Sequence, residues 1–400
     1  MRTILKRAIL PCFFVLSPGL KLIAQETVVA VTQEVKVKEI SDEFPGGNAP
    51  AIDLDIQRDV NVEIVPWDET RVKVVYRYNQ AWYKELSTVW ISDLGFTVTQ
   101  SASSQKLSVA SMPERYFNTN KPPSSIQSDY IVIDEKKYHR SGRTEPQADN
   151  SSREKLTVYI PRNKKLILKL YYNGSVTIAG DLAEADITTS FGGSNFKAKS
   201  IQKLWLKAYY PRASFENIGE AEVDVMGGQL FIKKIAKLNA RSRYAAVQIG
   251  SAEEVNLLLS QSDEYVIEEL GTLTGAQKFG VVRINALSKN ISMDESSDIV
   301  IKNILPGTEL LKIKSTQVTL KLPVSNLKNY YLSVNGSGST VLLTEDIRKG
   351  IVGTGHLGNV LSPVAFSGPG TAKFTSRVGD TNEKHTVFDI SCLSCNVSFR

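Results

Sequence analysis

The sequence predicts an all-β fold: a right-handed parallel β-solenoid of about 17–19 residues per coil, capped by irregular β segments, with a β-sandwich as the alternative. Three observations point there. From Thr27 onward apolar and polar residues alternate, the pattern of strands buried on one side. Nowhere do apolar residues hold helical spacing for three turns. A self-similar period, too short for a helix pair or a propeller blade, runs through the middle of the chain.

Residues 1–24 carry Arg2, Lys6, Arg7 and Lys21 and no acid, around the apolar run AILPCFFVLSPGL. A charged head, a short apolar core and LIA before a polar stretch are the marks of a secretory signal, expected to be cut after Ala24. The run is too short to span a bilayer. Cys12 lacks the preceding small residues of a lipoprotein signal, so no lipid anchor is expected.

Residues 25–111 form an N-terminal β segment or cap, with alternation in VKVKEI (35–40), IDLDI (52–56), VNVEIV (60–65) and RVKVVYRY (71–78). The stretch 112–155 is long, polar and rich in Ser and Pro, and is expected to be a partly disordered surface loop.

Residues 156–349 carry the repeat. Written in lines of seventeen from Val223, columns one, three and ten fill with small and apolar residues, Arg283 being an exception. A looser version runs upstream, where Leu168, Ile187 and Leu206 precede Val223, and Ile178, Phe196 and Phe215 precede Ile232. Ile313 and Leu332 continue it downstream, while Gly227–Gly228, Gly250–Ser251 and Ser296–Ser297 suit tight corners. Residues 350–400 are expected to be C-terminal coils and a cap. KNYYL near 328 and TEDIRK near 344 could each form one helical turn.

Composition narrows the function. The chain has 400 residues, 42% hydrophobic and 22% charged, with three Cys and three His, which excludes collagen, coiled coil and a disulfide-dense miniprotein. The formal charge of +6 comes from 48 basic and 42 acidic residues; removing the four basic residues of 1–24 leaves 44 against 42. Nucleic-acid binding loses its electrostatic support. No further apolar stretch approaches membrane-spanning length. Export to the periplasm, the outer-membrane surface or the medium is expected.

The segment LTVYIPRNKKLILKLYYNGSVTIAGDL (156–182) and the ending FDISCLSCNVSFR resemble the opening and closing coils of the bacterial "putative adhesin" β-solenoid domain, related to autotransporter-adhesin heads. The resemblance covers 156–400, with IDLDIQRDVNVEIVPWDETRVKVVY (52–76) similar to the family's opening strands. It departs where Cys395 stands in place of the expected turn glycine. The resemblance implies a secreted or envelope protein of unassigned activity, and it transfers no catalytic residue.

Candidate chemistry is sparse. Cys392 and Cys395 could be a redox pair, zinc ligands, a disulfide clamping the last turn or two buried thiols. A redox pair would want a helix N-terminus, and zinc would want two more ligands, so in an exported chain the disulfide is favoured. Asp53/Asp55 and Asp294/Glu295/Asp298 could bind calcium or serve a carbohydrate-active enzyme with Lys314 or Arg283 as base, but such acids more often form a solvated face. His139, His356 and His385 have no GxSxG partner, and GPGTAK at 368 lacks phosphate-loop spacing. No catalytic residue, metal site or cofactor is expected. Trp82, Tyr83 and Trp90 are candidate ligand-contact aromatics, whereas Trp205, Tyr209 and Tyr210 are read as packing residues.

These readings converge on an exported, non-enzymatic binding or adhesion-like module. The alternatives are a solenoid polysaccharide lyase or hydrolase and a self-assembling envelope protein. The expected partner is a glycan or an envelope or host protein, with self-association possible.

Overall fold

The computed structural model describes residues 37–46, 48–57, 60–79, 96–101, 103–109, 130–133, 136–139, 154–171, 175–190, 194–352, 356–357, 360–361, 371–380 and 383–400. The chain divides into two units, Met1–Val35 and Lys36–Arg400, and only the second is described. It is all-β, dominated by one large, open, mostly parallel sheet.

The N-terminal strands are β1 (Val37–Pro45), β2 (Ala51–Ile56), β3 (Asn61–Trp67), β4 (Arg71–Asn79), β5 (Phe96–Gln100) and β6 (Ser104–Val109). Within the expected polar loop, β7 (Tyr130–Ile133) and β8 (Lys136–His139) pair as an antiparallel hairpin, so His139 ends a strand. Next come β9 (Lys155–Pro161) and β10 (Lys165–Leu170).

Seven long strands follow: β11 (Ser175–Thr189), β12 (Asn195–Tyr209), β13 (Arg212–Met226), β14 (Gln229–Arg243), β15 (Ala246–Gln261), β16 (Glu264–Lys278) and β17 (Val281–Ser296). The C-terminal part comprises β18 (Asp298–Ile304), β19 (Leu310–Thr316), β20 (Thr319–Leu322), β21 (Tyr330–Ser337), β22 (Thr340–Leu342), α1 (Glu345–Lys349), β23 (His356–Leu357), β24 (Val360–Leu361), β25 (Thr371–Val378), β26 (Thr386–Leu393) and β27 (Asn396–Phe399). The helical turn expected near 344 is α1, capped by the Thr344 side chain accepting from the Ile347 N–H. The turn expected near 328 is instead the start of β21, where Tyr330 and Leu332 face the core.

Each long strand pairs in parallel with its successor, as Arg212↔Gln229 and Met226↔Arg243 show for β13 and β14. Both ends of β13 therefore meet the residue seventeen positions on, the offset being 17 to 20 along the other long strands, so the chain advances one strand spacing, about 4.8 Å, per pass. Inward residues recur on every pass; in β13 they are Ala213, Phe215, Ile218, Ala221, Val223 and Val225. Adjacent outward pairs such as Glu216–Asn217 mark where the strand bends, because alternation is broken there.

The Val223 column runs Leu168, Ile187, Leu206, Val223, Ala240, Leu257, Gly275, Met293, Ile313 and Ile390. A rigid period of seventeen misassigns part of this. β15 carries an extra residue at Leu258, since Ala240 faces Leu257 while Arg241 faces Leu259. The tenth column consequently continues from Ile249 to Ile267, Ile284 and Ile301, not to Val266, Arg283 and Val300. A shift of one residue turns a side chain to the other face, which is why Arg283 points to solvent. Likewise Phe196 pairs with Ala213, and it is Ala198 that joins Ile178 and Phe215. Gly250–Ser251 lies within β15, not at a turn between strands.

The sheet's ends are antiparallel. At one, β4 lies antiparallel on β9 and β1 on β4, while β6 joins β2 in parallel and carries β5 antiparallel. At the other, β25 lies antiparallel on β21. The final pass is interleaved: β26 sits between β19 and β21, and β27 between β20 and β22.

Candidate binding surface

The turns between long strands form one corner column. Tyr209 pairs with Met226, Met226 with Arg243, Arg243 with Gln261 and Gln261 with Lys278, so the residues that follow are also in register. Those corner residues are Tyr210, Gly227, Tyr244, Ser262 and Phe279, with φ of 47°, 67°, 57°, 56° and 54°. The amides of the first four donate to the next pass: Tyr210 N–H to Met226 O (2.8 Å), Gly227 to Arg243 O (2.7 Å), Tyr244 to Gln261 O (3.0 Å) and Ser262 to Lys278 O (2.8 Å).

The left-handed conformation is natural for Gly227, but in a residue with a Cβ it costs roughly 1–2 kcal/mol. Three of the five positions nevertheless hold an aromatic. None is buried: Tyr210 is 56%, Tyr244 61% and Phe279 82% exposed. Burial therefore does not offset the strain. The ring of Tyr210 lies where a Cβ on Gly227 would stand, 2.4 Å from that point, so it leans over the next rung.

The strain is held from inside by a buried polar network. Asp263, 1% exposed, follows the Ser262 corner. Its carboxylate accepts from the Ser242 hydroxyl (2.8 Å), the Ser260 hydroxyl (2.7 Å) and the backbone N–H groups of Ala245 (2.8 Å) and Gln261 (2.9 Å). It thereby ties the Tyr244 and Ser262 corners together. Ser242 also shares a 2.6 Å hydrogen bond with the Tyr265 hydroxyl, and burial pushes the Tyr265 phenol far above its ordinary pKa.

Of the residues singled out in the sequence, Trp82, Tyr83 and Trp90 lie outside the described residues. Trp205, Tyr209 and Tyr210 are on the surface, not in the core: Trp205 and Tyr209 face outward on β12, Tyr210 stands at the corner that follows, and Trp205 stacks under the Lys165 ammonium, 4.6 Å from its ring centre. Asp53 and Asp55 are not a solvated face. They are buried on β2 and paired with Lys169 (3.2 Å) and Lys106 (2.6 Å). Asp298 accepts from the Thr319 N–H (2.7 Å).

Asp294, Glu295 and Lys314 do meet, in a shallow open groove of about 440 Å³ that Cys392 and Leu393 also line. Lys314 lies 3.9 Å from Asp294, which is 84% exposed, and Glu295 is 3.2 Å from Lys278. Charges so exposed are screened by solvent and interact weakly. Among the described residues no group of three or more His, Cys, Asp or Glu side chains is placed to hold a metal ion. His356 lies on β23 and pairs with Lys373 of β25, and His385 is an exposed residue just before β26.

Cys392 and Cys395 are joined, with Cα atoms 5.9 Å apart. They straddle Ser394, which has φ of 56° and whose amide donates to Ser337 O (2.8 Å). The bridge thus clasps a corner of the same left-handed kind. Tyr244 and Phe279 were not singled out from the sequence. The available signal was an aromatic recurring at twice the period, at 210, 244 and 279, which shows only once the corner is located.

Neither a protein-family model nor a curated protein matches the sequence. Solved structures do match. One is a "putative lipid binding protein" of Parabacteroides distasonis, 11% identical, covering 67% of this chain and 96% of its own, with a TM-score of 0.38. Another, from the same organism, is a "putative adhesin", 9% identical over 72% of this chain and 90% of its own, TM-score 0.35. A third is a "putative adhesin" of Parabacteroides merdae, 11% identical over 71% and 89%, TM-score 0.33. At such identities the functional reading rests on this chain's own geometry. Among the described residues no helix is long and apolar enough to cross a membrane.

Proposed function

We propose that the chain is an exported, non-enzymatic binding or adhesion module of the bacterial envelope, its repeated passes forming the coils of a right-handed β-solenoid. A parallel register that advances by one pass from strand to strand is what successive coils produce, and such stacking offers an extended rigid face in place of an enclosed pocket. The observation that carries the reading is the corner column, where exposed aromatics occupy backbone that would suit glycine. Strain that stability does not require points to function. The signal-like residues 1–24 support export, and the partner is a glycan or an envelope or host protein.

The competing reading is a carbohydrate-active enzyme using Asp294, Glu295 and Lys314. The two separate by incubating the full chain with a polysaccharide panel and following retention on immobilised glycan alongside release of new chain ends. Retention without turnover is the expected result. Turnover that disappears in Asp294→Ala or Lys314→Ala would sink the binding reading.

A further inference from the structure

The corner column has a regular spacing. Tyr210, Tyr244 and Phe279 sit on alternate rungs, separated by Gly227 and Ser262, so neighbouring aromatics are two strand spacings apart, about 9.6 Å. Small residues on the intervening rungs keep the rings apart, and the Tyr210 ring spreads over Gly227 into that space. Three aromatic platforms therefore lie along one edge at a constant pitch over about 19 Å.

The pitch is close to the length of one disaccharide unit in an extended, β-linked pyranose chain. In such a chain alternate sugars present the same face to the same side. A flat ring exposes an apolar face of C–H groups to each platform, the kind of contact aromatic surfaces make well. A lipid surface has no reason to repeat at this interval, and among proteins only another stack of parallel strands, a second copy of the chain included, would match it.

Charge beside the column selects among glycans. Within two residues of the five corners stand Arg212, Arg243 and Lys278, against Asp263 and Glu264. Asp263 is buried and Glu264 is paired with Arg283. Lys278 is paired with Glu295 (3.2 Å), whereas Arg212 and Arg243 are exposed, the other ion pairs of this region being made by Arg241 to Glu222 (2.6 Å) and Arg283 to Glu264. The electrostatic surplus available to a ligand is cationic, which suits a carboxylate-bearing polymer and a guanidinium that binds it through two parallel hydrogen bonds.

We infer that Tyr210, Tyr244 and Phe279 form a binding track for an extended, β-linked acidic polysaccharide, one disaccharide per two rungs, with Arg212 and Arg243 engaging its carboxylates. This rests on the reading of the chain as a binding module and names its ligand class and site. A second copy of the chain is a poorer occupant, since a two-fold contact along the ladder would bring the arginines of both copies onto one seam.

The test uses the full chain and β-1,4-linked polymannuronate oligomers of increasing length, measured by calorimetry, with neutral cello-oligosaccharides and α-linked polygalacturonate as comparisons. Affinity is expected to rise with length until roughly five sugars span the three rings, and then to level off. The β-linked acidic series should bind at least about tenfold more tightly than either comparison. Tyr244→Asn and Phe279→Asn, which place a residue tolerant of left-handed backbone at an exposed corner, should each weaken binding about tenfold or more without lowering the melting temperature. Arg243→Gln should reduce the affinity and its salt dependence.

Equal binding by both asparagine variants overturns the track while leaving the binding module intact, because the ligand then sits elsewhere. Preference for the neutral or α-linked chain overturns the assigned class, and absence of binding to all three overturns the inference. Concentration-dependent dimerisation abolished by the same variants assigns the ladder to self-association and overturns it too. Catalytic turnover, in contrast, is the outcome that defeats the broader reading.

Discussion

At Phe279 a large apolar ring stands 82% exposed on backbone with φ of 54°. Replacing it with asparagine removes an unburied side chain and eases the strain, so Phe279→Asn should leave stability unchanged or raise it by up to about 1 kcal/mol. Urea unfolding checks this, and a loss greater than that would mean the ring packs against something. Asp263 is the opposite kind of residue, since four donors converge on its buried carboxylate. Asp263→Ala orphans them together, and an unfolding free energy lower by roughly 3–5 kcal/mol is expected. Stability within 1 kcal/mol of the parent would show that the network is not what holds the corners. Neither role was legible beforehand: Asp263 reads as one more acid in SQSDEY, and nothing short of the register brings Ser242 to it.

On the level of the strand, register is written in charge as well as in hydrophobicity. Glu184, Lys203, Glu220, Lys237 and Glu254 occupy one outward column on successive rungs with alternating sign. Ion pairs appear along it, Lys165–Glu184 at 2.8 Å and Lys237–Glu254 at 3.5 Å. Exposed pairs contribute little singly, but a one-residue slip would break them all and invert the buried column. Lys237→Glu sets three carboxylates on adjacent rungs and should lower stability by roughly 0.5–1 kcal/mol at low salt, with the penalty shrinking in 1 M salt. A salt-independent loss would refute the electrostatic account. The strands themselves were readable from alternation, because one-sided burial imposes it. The bulge at Leu258 was not: Leu258 and Leu259 are both apolar and both exposed, so hydrophobicity could not say which residue was the insertion.

Across Lys36–Arg400 the problem is how the stacked strands end. Antiparallel β4 and β25 lie against β9 and β21, where a parallel stack would otherwise offer unpaired edges. Near the N-terminal end, Asp55 is buried beneath Lys106, whose hydrogen bond with that carboxylate raises the Lys106 pKa. A lysine with a raised folded pKa contributes its full stabilisation below its unfolded value near 10.5 and loses it as pH climbs through the folded one. Lys106→Met should therefore abolish part of the alkaline destabilisation while weakening the fold at neutral pH; an unchanged alkaline limb would discount the pair. At the other end the Cys392–Cys395 bridge closes a very short loop, so reduction should cost about 2 kcal/mol, read as a melting temperature lowered by a few degrees. No shift on reduction, with both thiols titrating, would remove that contribution.

Sequence alone determined that the chain is all-β and which side chains face inward on most of its strands, since alternation is a local consequence of one-sided burial. It also singled out Cys392 and Cys395, the only Cys pair close enough to bridge without long-range contact. Only the tertiary structure decided the bulges, the interleaving of β26 between β19 and β21, and the alignment of Tyr210, Tyr244 and Phe279 at one corner. Those depend on which residues lie one strand spacing apart, and a single inserted residue, invisible to composition, resets that relation for every pass that follows.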